Sequence, residues 1–157
     1  MEDEIEGIDG KSFLKALFGK EKEHRRFAYG IHNNIPEGTA YPIRSIRDKR
    51  YKLILNLTPE VEYFEKHLMN LKNERSVWAS WIESTKTDKR ARYFVDRYVK
   101  RPAIEFYDMQ KDPWELNNLA EEKKYAKRIA MMKGELEAWM RQQGDTGAQM
   151  DVKIKKQ

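Results

Sequence analysis

The sequence predicts an α+β domain: a small antiparallel sheet of about four strands, a helical insert, and a long C-terminal amphipathic helix packed on the sheet. Three observations predict it. Short apolar or alternating runs bounded by turn residues recur before residue 58 and again at 103–109, the pattern of strands. A charged stretch of helical character, 60–100, separates them. Near the end, Tyr125, Ile129, Met132, Leu136 and Trp139 recur at steps of four, three, four and three, the spacing of one helix face.

The elements follow in order. Residues 1–10 read as a loose lead-in, and Ser12 to Phe18 as a short apolar turn of helix closed by Gly19. Arg25 to Ile31 places Phe27, Tyr29 and Ile31 on one face of a strand. His32 to Gly38 carries Asn, Pro and Gly and reads as a loop. Ile43 to Arg47 and Tyr51 to Leu57 form a hairpin turning on Asp48, Lys49 and Arg50. Thr58-Pro59-Glu60 resembles a helix start, with Thr as cap and Pro at the first position. A helical region in about three pieces follows to Lys100, with Tyr93, Phe94, Tyr98 and Val99 on a stripe. Pro102 ends it, and Ala103 to Met109 forms the fourth strand before the turn at Lys111-Asp112-Pro113. Gly144 closes the last helix. The folded unit is expected over 11–145, with a loose tail over 146–157 and no internal repeat.

A chain of 157 residues can bury roughly 68–70% of its unfolded surface, enough for a core. No apolar run approaches the roughly 20 residues that span a bilayer, so no membrane contact is expected. The acidic start, Met1 to Asp9, lacks the pattern of a signal peptide, which leaves a cytoplasmic chain or a missing true N-terminus. The compartment stays unknown. The absence of cysteine excludes disulfides, thiolate metal sites and a cysteine nucleophile. The net charge of +5 gathers at Arg44, Arg47, Lys49 and Arg50 and between Lys86 and Arg101. Such runs are ordinarily solvated faces. They also suit an anionic polymer, nucleic acid or sulfated glycan, and charge alone does not separate the two.

Catalytic signals are few. His24, His32 and His67 lack the spacing of a helical zinc site, and neither a phosphate loop nor GxSxG is present. Tyr107-Asp108 and Asp112-Pro113 read as turn chemistry, Asp accepting backbone N–H bonds and Pro fixing φ.

Glu105-Phe106-Tyr107-Asp108-Met109, then Asp112-Pro113-Trp114-Glu115, then Asn117-Asn118-Leu119-Ala120, resembles the signature near the C-terminus of type I sulfatases. Asp9-Gly10-Lys11-Ser12-Phe13-Leu14 is similar to the segment leading into the same subdomain. Tyr41-Pro42-Ile43-Arg44-Ser45-Ile46-Arg47, with Tyr51-Lys52-Leu53-Ile54 and Asn56-Leu57, resembles the hairpin of the heparan N-sulfatase (sulfamidase) branch. The resemblance covers roughly residues 7–145.

The resemblance implies a sulfatase C-terminal subdomain that packs on an N-terminal catalytic domain and supplies part of the substrate pocket. Enzymes of this type attack sulfur with a formylglycine made from a C/S-x-P-x-R motif, beside a Ca²⁺ held by Asp and Asn oxygens. This sequence lacks that motif: its one P-x-R, Pro42-Ile43-Arg44, has Ala40 at the nucleophile position. The chain therefore reads as a fragment, inactive alone, with no catalytic or metal residues of its own. Ca²⁺ and formylglycine are expected in the catalytic domain, the principal partner, with a sulfated glycan as substrate of the whole. The branch places its matching loop and strand at the pocket mouth, which nominates His32, Asn33, Asn34 and Arg44 as substrate-binding residues. Two alternatives stay open: a free-standing basic module for a polyanion, with nucleic acid not favoured, and a structural domain that caps a partner.

Overall fold

The computed structural model describes residues 10–72 and 76–150. It contains α1 (Leu14–Leu17), β1 (Ala28–His32), β2 (Ile43–Arg47), β3 (Tyr51–Asn56), α2 (Val77–Ser84), α3 (Lys89–Val99), β4 (Ile104–Asp108) and α4 (Ala126–Gln142). The strands form one antiparallel sheet in the order β1-β2-β3-β4. The expected α+β class and strand set hold.

Strand alternation divides the sheet into two faces. Tyr29, Ile46, Leu53 and Phe106 align across the four strands on one face. There Ile46, Leu53, Phe106, Met132 and Leu136 are fully buried together, so α4 docks by the predicted stripe. Burial of a Met or Leu side chain stabilises by about 1.5–3 kcal/mol. Trp139 is only partly buried; it stacks on Tyr29 with ring centroids 4.6 Å apart. The anchor of α4 is thus Met132 and Leu136 rather than Trp139. Two ion pairs bracket the helix across the β2–β3 hairpin: Arg128 with Asp48 at one end, and Asp145, just past the helix, with Arg44 at the other.

The second face carries Ile43, Ile54, Glu105 and Tyr107. Tyr41, Tyr63, Met69, Trp78 and Val95 form a separate core there, under the α2–α3 insert. Ser76 caps α2 through a bond from the Ala79 amide (3.1 Å), and Asp88 caps α3 through Arg90 (2.7 Å). No helix starts at Thr58-Pro59. That segment makes a turn, Val61 N–H to Thr58 C=O, and Tyr63 N–H then bonds the Val99 carbonyl at 2.8 Å. Insertion of Tyr63 between Tyr41 and Tyr98, at 5.3 and 5.5 Å, outweighs the local helix signal. Among the described residues the insert holds two helices, and Tyr93 of the expected stripe is exposed while Val95 is buried.

The motif after β4 covers the sheet edge. Asn118 Oδ1 accepts from Phe106 N–H (2.9 Å) and Ala120 N–H (3.0 Å), and its Nδ2 donates to Ile104 C=O (3.1 Å). Leu119 N–H bonds Phe106 C=O at 2.8 Å. Asp112 accepts from Leu116 and Asn117 amides, shaping the turn that brings Asn118 back. An edge strand with unpaired backbone groups would otherwise invite foreign pairing.

Candidate functional site

The loop between β1 and β2 holds two of the four nominated residues, Asn33 and Asn34; His32 ends β1 and Arg44 lies in β2. Asn34 lies in the left-handed region at φ 61°, which Asn tolerates better than most residues. Its side chain is buried and donates to the Thr39 (2.9 Å) and Phe64 (2.7 Å) carbonyls. Gly38 closes the loop against the Phe64 carbonyl so tightly that a Cβ there would sit 1.9 Å from that oxygen. The loop is therefore pinned to the segment leading into the second core.

Arg44 is 1% exposed. Its Nε and Nη2 meet the two Asp145 oxygens at 2.5 and 3.2 Å, and Nη1 donates to Asn33 Oδ1 at 2.8 Å and to its own neighbour's carbonyl, Ile43, at 3.0 Å. The hydrogen bond from Arg44 holds the Asp145 carboxyl below the usual carboxylate range. Asp145 Oδ1 also accepts from Gly147 N–H at 2.8 Å. The guanidinium is thus fully engaged inside the protein.

His32 pairs with Ile43 in the sheet, one residue before Arg44. Alternation therefore sends His32 to the face opposite Arg44. The exposed imidazole stands 6.3 Å from the Tyr63 ring. His32 and Arg44 lie at one end of the sheet, but the pleat separates them. Asn33 connects the two sides: it follows His32 in the chain and bonds Arg44. Asp145 was not foreseen. Its one sequence cue is its place directly after Gly144, which has φ 68° and ends α4.

The remaining signature residues build a second polar network on the insert side. Tyr107 O–H bonds Glu105, Arg97 Nη2 reaches Tyr107 Oη at 2.5 Å, and Asn56 Nδ2 reaches Glu105 Oε1 at 2.8 Å. Burial, then the Glu105 contact, push the Tyr107 hydroxyl well above its ordinary pKa, so it stays protonated and donates. Asp108 is held below its ordinary value by hydrogen bonds from Arg50, the shortest at 2.7 Å.

No family model matches the chain. An ulvan-active sulfatase from Formosa agariphila is 34% identical over 146 residues, 89% of this chain and 26% of that protein. Its homologues are sulfatases. Human N-sulphoglucosamine sulphohydrolase is 25% identical over 141 residues, 84% of this chain and 26% of that enzyme. A solved 2-O GAG sulfatase superposes with TM-score 0.55 at 19% identity, covering 98% of this chain and 24% of the other. A second structure, of a protein in complex with its substrate D-glucosamine-2-N,6-O-disulfate, gives TM-score 0.53 at 21% identity, covering 90% and 21%. The chain thus spans about a quarter of the length of the curated relatives it matches, and its α+β fold is that of the sulfatase C-terminal subdomain.

Proposed function

We propose that this sulfatase subdomain works as part of a hydrolase that removes sulfate from a glycan, packed on the catalytic domain and forming one wall of its substrate pocket. The likeness to the ulvan-active sulfatase across 89% of the chain carries this reading. Among the described residues no group of three or more His, Asp or Glu side chains is placed to hold a metal ion. The Ca²⁺ and formylglycine of the family's reaction belong, in this reading, to the catalytic domain.

Within this reading His32 is the side chain offered to the sugar. Asn33, Asn34 and Arg44 hold its loop, and Asp145 holds Arg44. An imidazole there can donate to a hydroxyl or, when protonated, face an anionic group. The basic stretch from Lys86 to Arg101, the basis of the polyanion-module alternative, is partly paired at the surface. Lys86 pairs with Glu83 (2.6 Å), Lys100 with Glu62 (3.2 Å), and Arg92 bonds the Thr85 carbonyl (2.8 Å). The free-standing module is not favoured.

The test is a chimera in which this chain replaces the matching quarter of the Formosa sulfatase. The isolated chain should show no turnover of aryl sulfates or N-sulfoglucosamine, and the chimera should hydrolyse its glycan. In the chimera, His32→Ala should lower kcat/KM for the glycan roughly tenfold with aryl-sulfate activity nearly unchanged, since that small substrate has no sugar to hold. Turnover by the chain alone, or a folded chimera without activity, would defeat the proposal. Equal loss on both substrates would remove His32 from the pocket wall.

A further inference from the structure

Between the α2–α3 insert and the second sheet face lies a cavity of about 670 Å³, within the range of roughly 300–1,000 Å³ typical of ligand pockets. It is distinct from the His32 loop. Trp81, Phe94, Trp114 and Ile54 form much of its wall. Trp114 is 80% exposed and Trp81 44%, an unusual state for two indoles facing one hollow.

The charges around the cavity are not equivalent. Lys52 is paired with Glu115 at 2.9 Å. Arg97 bonds the Leu116 and Glu115 carbonyls and Tyr107, and lies 3.8 Å from Glu105. Arg101 differs. Its guanidinium lies over three tyrosine rings, Tyr63, Tyr98 and Tyr41, at 4.3, 5.2 and 5.9 Å. Nε donates to the Tyr98 carbonyl at 3.3 Å, while its two Nη groups have no hydrogen-bond acceptor and no carboxylate within 4 Å among the described residues. Cation–π contact fixes the position of the charge without using the planar fork that binds carboxylates and sulfates.

We propose that this cavity is a subsite for an anionic sugar unit, a uronate or a sulfated pyranose. The C–H face of the ring would lie on the electron-rich face of Trp114 or Trp81, and the acidic group would meet the Arg101 fork. Both cavity carboxylates, Glu105 and Glu115, are already engaged with cations or hydrogen-bond donors, so neither stands free to repel the ligand. The proposal rests on the glycan reading above for the nature of the ligand, and assigns this chain a second contact with it.

The test is calorimetric titration of the 157-residue chain with a heparin-derived tetrasaccharide, and separately with neutral cellotetraose. No turnover is assayed, so failure here leaves the sulfatase reading standing. The acidic tetrasaccharide should bind saturably, and cellotetraose should bind roughly tenfold more weakly or not at all, the factor that 1.4 kcal/mol represents. Trp114→Ala, a change at an exposed side chain, should weaken binding by a similar factor with the unfolding midpoint unchanged. Arg101→Gln should weaken binding by a similar factor, while Lys89→Gln, on α3 outside the cavity, should leave affinity as it was. Absence of binding, equal affinity in both cavity variants, or equal affinity for cellotetraose would overturn the proposal. The last outcome would mark the hollow as an apolar slot for a partner's side chain.

Discussion

Arg44 and Asp145 lie 101 positions apart in sequence and form a salt bridge with side chains 1% and 3% exposed. A buried ion pair is costly to assemble and costly to break, because removal of one partner strands the other charge out of water. Arg44→Ala and Asp145→Ala should each destabilise the chain by about 3–5 kcal/mol, read from urea midpoints at neutral pH. The pH dependence has a definite sign. The folded-state pKa of Asp145 is depressed, so its contribution is fully present above the ordinary aspartate value of about 3.9 and is lost as pH falls through the folded value. The stability gap between the natural chain and Asp145→Asn should therefore hold steady above about pH 5 and narrow below about pH 4. A gap unchanged at low pH would show that the carboxylate is not the interacting species. Arg44 also marks a limit of sequence reading. An Arg beside a Pro-bearing loop looks like a ligand for anions, and nothing local announces a carboxylate that arrives only after α4 has crossed the sheet.

Elements were more legible than their partners. β2 and β3 fall where alternation and the Asp48 turn place them, and the i, i+3, i+4 stripe of α4 predicts both its existence and its docking. Period alone does not rank the residues within the stripe. Met132 and Leu136 face the sheet centre, whereas Trp139 reaches the outer strand β1 and keeps part of its surface in water. Leu136→Ala should cost about 2–5 kcal/mol, and Trp139→Ala less than the 3 kcal/mol at the low end for buried Trp. Chemical denaturation of the two variants side by side checks the order; a larger loss at Trp139 would put the anchor at the helix end. The missed turn at Thr58-Pro59 has the opposite cause. Its cap residues are suitable for a helix, but tertiary burial of Tyr63 and Met69 in the second core pulls the following residues out of helical register.

The molecule as a whole has two cores on opposite faces of one thin sheet and a set of apolar side chains left outside both. Phe13, Leu14, Leu17 and Phe18 are 45–68% exposed, and α1 buries none of its residues. A four-residue helix has no stability of its own, since forming the first turn fixes several dihedrals for one hydrogen bond. Four large apolar groups gathered on such a turn form a patch of the kind that drives association. The isolated chain should consequently self-associate as concentration rises, seen as a concentration-dependent sedimentation coefficient. A variant with Phe13, Leu17 and Phe18 changed to Ser should sediment as a monomer over the same range. Because these side chains contribute to neither core, its unfolding midpoint at low concentration should match that of the natural chain. A fall in that midpoint would mean that α1 supports the fold. Unchanged association would move the contact to another surface, with the exposed indoles of Trp81 and Trp114 the next to replace.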